Sequence, residues 1–255
     1  MENRNHIPDF SLKGKSALIT GASKGIGLAM AAAFLQQGAR VMISSRDEAG
    51  LKEASKILSH PDLYYKKCHV GVETDRAELV DETLATLGKI DILVNNAAIN
   101  PAFGPIHEQD GMLFDKIMDV NVKAAFLLSN LVFPHIKKSG GSIIHISSVE
   151  AKKPSPGLGL YSVSKAALSM LTKTQAKEWG PFGIRVNAIL PGLIKTKFSA
   201  AIWQNESFLQ KWTAKLPLQR MAEPGEIAGL AVFLASDAAS YCTGGEYVAD
   251  GGYLL

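Results

Sequence analysis

Ser16-Ala-Leu-Ile-Thr-Gly-Ala-Ser-Lys-Gly-Ile-Gly27 is the stretch that decides how this 255-residue chain folds. Its first five residues form an apolar run of strand length, and an Ala-rich helical run opens at Gly25. Between them Gly21, Gly25 and Gly27 stand in G-x-x-x-G-x-G spacing. Glycine allows a tight turn and close backbone approach, and the N-terminus of the helix that follows attracts a pyrophosphate. Strand, glycine turn and helix in that order mark a nucleotide-binding turn and not a chance cluster of glycines.

Outward from this unit the pattern repeats. Strands are predicted at 16–20, 40–44, 64–69, 90–95, 142–147, 185–190 and 246–248, with helices at roughly 25–37, 48–59, 75–87, 110–138, 162–179 and 224–235. Alternating strands and helices with continuously apolar strands mean an α/β fold, a parallel sheet of about seven strands covered on both faces. Right-handed crossovers make it doubly wound, with ligands at the C-terminal strand ends. No linker, repeat or low-complexity tract interrupts residues 1–255, so one domain is expected.

A second stretch carries the chemistry. In Tyr161-Ser-Val-Ser-Lys165 the phenol and the amine lie four residues apart, on one face of a helix. A phenol titrates near ~10 and is a poor acid or base at neutral pH. A neighbouring ammonium favours the phenolate; closing a gap of roughly three units takes about 4 kcal/mol. Ser148 ends the apolar run Ser142-Ile-Ile-His-Ile-Ser-Ser148, where a hydroxyl would face the ligand crevice.

These pieces together resemble the short-chain dehydrogenase/reductase family in its compact branch. The resemblance rests on Thr20-Gly-Ala-Ser-Lys-Gly-Ile-Gly27, Asn95-Asn-Ala-Ala98, Asn121, Ser148, Tyr161, Lys165, Pro191-Gly192 and Thr196, with Asp250-Gly-Gly252 near the end. It implies a Rossmann-like domain and NAD(P)-dependent interconversion of an alcohol and a carbonyl. Tyr161 would then be the proton donor or acceptor. Lys165 would lower its pKa and hold the nicotinamide ribose. Ser148 would hydrogen-bond the substrate oxygen, and Asn121 would kink its helix and hold a water that passes protons to the lysine. A plain helix-capping amide is the alternative for Asn121. Cofactor contacts are implied for Gly21, Ser23, Lys24, Gly25, Ile26, Gly27, Ser45, Arg46, His69, Val70, Asn95, Ala97, Tyr161, Lys165, Pro191, Gly192, Ile194 and Thr196.

Cofactor preference is readable from the end of the second strand. Where an NAD-type acid would sit the chain has Ser45, followed by Arg46, with Lys24 in the glycine turn. Arginine suits a 2′-phosphate, so NADP(H) is favoured over NAD(H). Asp47 could instead pair with Arg46. His69 stands where relatives carry an adenine-binding Asp; a neutral imidazole could still accept a hydrogen bond. Ala98 replaces the family's usual glycine.

Other classes are disfavoured. The net charge of +3, without a basic run, does not point to nucleic acid. Two cysteines make no disulfide framework, and Cys68 reads as a small core residue. Ser148 lacks a nucleophile elbow, and His107, His135 and His145 lack metal-ligand spacing, so no metal is expected. His145 shares a strand face with Ser147 and reads as a core or cofactor-side residue. The polar first fifteen residues hold no signal core, the most apolar helix-like run, Ile26–Leu35, is too short for a bilayer, and Tyr253-Leu-Leu255 is not a peroxisomal address. A cytoplasmic protein with no membrane partner is expected.

Residues 193–218 correspond to the family's substrate lid. They carry Phe198, Ile202, Trp203, Phe208, Leu209, Trp212 and Leu216, which suit an apolar substrate or simply pack the lid. Pro101, Phe103, Pro154 and Leu158 could complete the pocket, with Lys195 and Lys197 at its rim. The segments 95–104 and 191–196 are similar to NADPH-dependent carbonyl and retinal reductases of the peroxisomal type. Two other readings stand beside a carbonyl reductase: a 3-oxoacyl-thioester reductase and a catalytically silent NADP-sensing protein. Resemblance also implies a homotetramer paired through 121–138 and 162–179, where Ala124, Leu127, Leu128 and Leu131 would serve an interface or the core.

Overall fold

The computed structural model describes residues 8–255, leaving aside the side chains of Ala201 and Phe208. The glycine stretch forms strand β1 (Ser16–Thr20) and helix α1 (Gly25–Gln36). Six further strands follow: β2 (Arg40–Ser45), β3 (Leu63–Lys67), β4 (Ile92–Asn95), β5 (Gly141–Ile146), β6 (Ile184–Pro191) and β7 (Glu246–Ala249). They make one parallel sheet in the order β3-β2-β1-β4-β5-β6-β7. The order reverses between β1 and β4, which opens the crevice at their C-terminal ends.

Alternation along each strand divides the core between the two faces. Ala17, Ile19, Val41, Ile43, Ile92, Val94 and Ile144 point to one side, where Met30, Phe34, Leu51 and Ile227 meet them. These last belong to α1, α2 (Glu48–Leu58) and α9 (Pro224–Ala235). Leu18, Met42, Leu93 and Ile143 point to the other, against Leu79, Leu128 and Trp179 of α3 (Glu73–Leu87), α5 (Ala124–Ile136) and α6 (Gly159–Trp179). Cys68 is buried there, and burial pushes its thiol up to about 12. It is a core residue, as expected.

Three differences from the predicted elements concern the site. Strand β3 ends at Lys67, so Cys68, His69 and Val70 form a loop held by α3: His69 N donates to Asp75 Oδ2 (2.8 Å) and Arg76 Nη1 to the Val70 carbonyl (2.7 Å). Helix α6 begins at Gly159, which puts Tyr161 in its first turn. The long helix predicted at 110–138 is α4 (Gly111–Met118) and α5 joined by a π-helical turn, Asp119–Lys123. Asn121 lies in this turn, and its side chain is bonded outside the helix to Ile99 and Ser164.

By length and composition alone the stretch Gly111–Ile136 would suffice to cross a bilayer, a candidate that the sequence reading passed over. Here its buried side, Ile117, Ala124, Leu128, Val132 and Ile136, joins the core. The expectation for α5 therefore divides: Ala124 and Leu128 are buried, while Leu131 and Phe126 are exposed. The predicted lid carries α7 (Ala200–Trp203) and α8 (Glu206–Thr213).

Candidate active site

Backbone, not side chain, shapes the first half of the crevice. Gly21 has φ +63°, and a Cβ there would stand 2.8 Å from Ala97 Cα. A Cβ on Gly27 would stand 2.6 Å from Asn96 Nδ2 and the Gly21 carbonyl oxygen. Asn96 is the clamp: its Nδ2 donates to the Thr20 and Gly21 carbonyls, both at 2.9 Å, while Asn96 N and Ala97 N donate to Thr20 Oγ1. Asn95, by contrast, has its side chain in the core. Its Nδ2 donates to Ser129 Oγ (3.0 Å) and lies 3.3 Å from His145 Nδ1. Of the two asparagines, it is Asn96, and not the Asn95 expected at the cofactor, whose side chain reaches the glycine turn.

The same crevice attracts anions. Lys24 caps α1 without a side-chain hydrogen bond, and the first turn holds no acidic residue. Its free N–H groups and the helix dipole therefore face solvent unopposed. Ser23 Oγ donates to Ser45 Oγ (3.1 Å), which joins the turn to the end of β2. Arg46 and Lys24 are exposed, and among the described residues neither is ion-paired. Asp47 does not pair with Arg46, because its carboxylate caps α2 by accepting from Gly50 N. Ile26 packs partly on the core.

At the adenine end, His69 departs from its expected role. Gly71 N donates to His69 Nδ1 at 3.2 Å. A neutral imidazole whose Nδ1 accepts from Gly71 N carries its proton on Nε2, which leaves that nitrogen a donor.

At the other end Pro191 closes β6, Gly192 N donates to Ala249 O, and Ile194 is buried in a bridge to Ala222. Thr196 meets the glycine turn directly: a Cβ on Gly25 would lie 3.2 Å from its Cγ2. Trp203 Nε1 donates to Thr196 O (2.8 Å), and Ser199 Oγ bonds the Ile194 carbonyl, so lid residues fix this loop. The aromatic rings of the lid thus divide. Trp203 braces, Trp212 stacks on Tyr253, and the exposed Phe198 lies 5.9 Å from the Tyr161 ring. Phe208 lies outside the described side chains.

Tyr161, Lys165 and Ser148 meet between these loops. The Ser148 and Tyr161 hydroxyls are near enough to influence each other. Lys165 is buried, with Nζ 5.5 Å from the Tyr161 ring centroid and donating to the Ile146 carbonyl at 2.7 Å. Asn121 braces both neighbours. Its Oδ1 accepts from Ile99 N (2.8 Å), and its Nδ2 donates to Ile99 O (2.9 Å) and Ser164 Oγ (3.0 Å), while Ser164 Oγ donates to Tyr161 O. Both amide hydrogens are used, inside a helix, so the residue is neither a terminal cap nor a side-chain proton carrier. His145 lies beneath, buried between Asn95 and Gln175 Oε1; burial holds it down at about 4, neutral and structural.

The electrostatics correct the simplest expectation. Burial pushes the Tyr161 phenol well above its ordinary value; the nearby Ser148 hydroxyl opposes this and the Glu150 charge adds to it. Burial also lowers Lys165 to about 7. Within the protein alone, desolvation outweighs the expected pull of the ammonium on the phenol. A stability signature follows. Between pH 7 and 10.5, the folded and ordinary values for Lys165, the unfolded chain binds the extra proton, so this group makes stability rise with pH. Against Lys165→Met, wild-type stability in urea should gain up to about 1.4 kcal/mol per pH unit between pH 7 and 10. Parallel curves would contradict the burial argument.

Comparison with known proteins agrees with this geometry. A family model described as enoyl-(acyl carrier protein) reductase matches residues 21–254. The human protein Dehydrogenase/reductase SDR family member 4 is 43% identical over 244 residues, 94% of this chain and 88% of its own. The chain belongs to the short-chain dehydrogenase/reductase family. A protein of the same name from Caenorhabditis elegans is 42% identical and covers 94% of this chain and 95% of its own. Among solved structures, a 3-ketoacyl-(acyl-carrier-protein) reductase from Brucella melitensis, complexed with NADH, superposes with TM-score 0.91 at 33% identity, covering 96% of this chain and 100% of its own. A short-chain type dehydrogenase/reductase from Mycobacterium marinum gives 0.90 at 35%, covering 96% and 97%. This short-chain dehydrogenase/reductase is thus an oxidoreductase acting on CH–OH and C=O groups. Its glycine cradle, which any Cβ would fill, and its uncapped α1 terminus fit a nicotinamide dinucleotide.

Proposed function

We propose that this chain interconverts an apolar ketone or aldehyde and its alcohol with NADP(H). The observation that carries the reading is the meeting of Tyr161, Ser148 and buried Lys165 at the sheet's C-terminal edge, beside the glycine cradle. A bound nicotinamide supplies or takes the hydride; the chain's task is to place the carbonyl and manage one proton. Ser148 donates to the substrate oxygen and stabilises charge that develops there. Tyr161 gives that oxygen its proton in reduction and takes it in oxidation. Lys165 brings a cation beneath the cleft and holds the ribose side. Gly21, Gly25, Gly27 and the N-terminus of α1 receive the pyrophosphate, with Thr196 and the Ile194 backbone at the nicotinamide end. Phe198 beside Tyr161, and Phe103 against Gly157, supply apolar walls.

NADP(H) is supported by two exposed cations, Arg46 just past the end of β2, where an acid would select NAD, and Lys24 in the glycine turn. Arg46→Asp should weaken NADPH binding about 10- to 100-fold, the value of one lost charged hydrogen bond, and leave NADH within a few-fold. Equal losses in titrations of both cofactors would overturn the preference. The activity is tested by mixing purified protein and NADPH with aromatic ketones, retinal, diketones, sugars and acyl thioesters. Turnover confined to the thioesters would favour the acyl-thioester reading, to which the Brucella relative's name lends support. Lys195 at the rim is engaged with Glu223 and Lys197 is exposed. Binding without turnover would favour a cofactor sensor. A homotetramer is also proposed, supported by exposed Phe126 and Leu131 on α5 and Val163 and Met170 on α6. Sedimentation of a monomer at micromolar concentration would contradict it.

A further inference from the structure

A buried carboxylate stands inside the active site with no part in the chemistry above. Glu150 lies in the short 3₁₀ turn Val149–Ala151, two residues past Ser148, and is only 9% exposed. Its Oε2 accepts from Ser155 N and from Ser162 Oγ, both at 2.8 Å, and its Oε1 accepts from Ser155 Oγ at 2.6 Å. Ser155 belongs to the loop 152–158, and Ser162 is the residue after Tyr161. The same loop supports the aromatic wall, since Gly104 N donates to Gly157 O and the Phe103 ring abuts Gly157. Glu150 itself hangs from Ser148, whose Oγ accepts from Glu150 N at 3.2 Å. One side chain therefore ties together the strand end bearing Ser148, the loop walling the cleft and the helical turn bearing Tyr161. Desolvating a carboxylate is costly, and charged hydrogen bonds from fixed donors are what offset it.

We propose that Glu150 is a positioning residue of this reductase: it fixes the 152–158 wall against α6 and sets a negative charge beside Tyr161. Its charge raises the phenol's affinity for its proton. The proposal rests on Tyr161 as proton carrier. Several charged groups on the neighbouring elements have partners of their own. Lys165 on its own helix is bonded to Ile146 O. In the π turn, Asp119 and Lys123 pair with each other. Beyond β6, Lys195 pairs with Glu223. Past Glu150, Lys152 pairs with Glu246 and Lys153 lies over the Tyr253 ring. Glu150 is bonded to Ser162, the residue after Tyr161, which brings its charge near the phenol. In reduction Tyr161 must be protonated, so the negative charge extends activity toward higher pH; neutralising it draws the alkaline limb downward.

The test follows kcat/KM for carbonyl reduction against pH, at saturating NADPH, in wild type, Glu150→Gln and Glu150→Asp. The alkaline limb should move down by about one pH unit in Glu150→Gln, the size of effect one nearby partly screened charge exerts. Glu150→Asp should keep the wild-type limb with a raised KM. If Glu150→Gln does not fold, Glu150→Ala serves, because Ser162 Oγ retains its bond to Leu158 O. Ser155→Ala, which loosens the wall and leaves the charge, should raise KM several-fold without moving the limb. A limb that stays, rises or moves equally in Ser155→Ala overturns the proposal. Tyr161→Phe, run alongside, separates the failures. Activity there would remove the proton carrier itself; an inactive Tyr161→Phe with an unmoved Glu150→Gln limb removes only the role of Glu150.

Discussion

Tyr161→Phe should leave a folded, cofactor-binding protein whose reduction is slower by about 10²- to 10⁴-fold, the usual worth of a positioned general acid. That is about 3–5 kcal/mol of barrier. The effect is expected to be this clean because the ring and the hydroxyl have different roles. Phenylalanine keeps the contact with Phe198 and the position over Lys165. Only the hydroxyl and its transferable proton disappear. Cofactor titration should match wild type, because the glycine cradle and the α1 terminus lie on other elements. Turnover within ten-fold of wild type would mean that another group carries the proton. Its buried titratable neighbours are already bonded, Lys165 to the Ile146 carbonyl and Glu150 to Ser155 and Ser162.

Gly21→Ala should have the largest effect on the fold. The position has φ +63°, which costs a residue with a side chain roughly 1–2 kcal/mol. Its new methyl would meet Ala97 Cα at 2.8 Å and Asn96 Nδ2 at 3.0 Å, and overpacking of this kind costs about 1–3 kcal/mol more. A loss of about 2–5 kcal/mol should appear as a lowered urea midpoint. Cofactor binding should fall further, since the turn cannot shift without breaking the Asn96 clamp. Gly104→Ala, with nothing within 4 Å of its Cβ, is the control and should be nearly neutral. Equal stability of the two variants would show that the close approach is not what glycine is there to permit.

What sequence made legible was what depends on local spacing. The glycine turn, the continuously apolar strands and the four-residue step from Tyr161 to Lys165 all encode their structure within a few residues. The parallel, doubly wound sheet, the nucleotide-binding turn and the family follow from them. Asn95 against Asn96 was legible in principle. Strand alternation places Asn95 with Leu93, on the face covered by α5, where Ser129 receives it. The resemblance implied a kink at Asn121, but not its partners, since the bonds to Ile99 and Ser164 join segments far along the chain. The role of Glu150 was hidden for the same reason: nothing around it announces Ser162 as a partner. His69 turned on one backbone donor, Gly71 N, that fixes which nitrogen keeps the proton. The electrostatics of Tyr161 and Lys165 were misjudged because helical spacing conveys proximity and not burial, and burial sets the sign for both groups.

The most direct measurement uses NADPH deuterated at the transferable position, an apolar ketone and enough protein for a single turnover. Product alcohol is read by mass spectrometry in wild type and Tyr161→Phe. The expected result is an alcohol carrying one deuterium at the former carbonyl carbon, formed by wild type and suppressed at least ~10²-fold in the variant. Labelled alcohol formed equally fast by both would contradict the assignment of the proton to Tyr161.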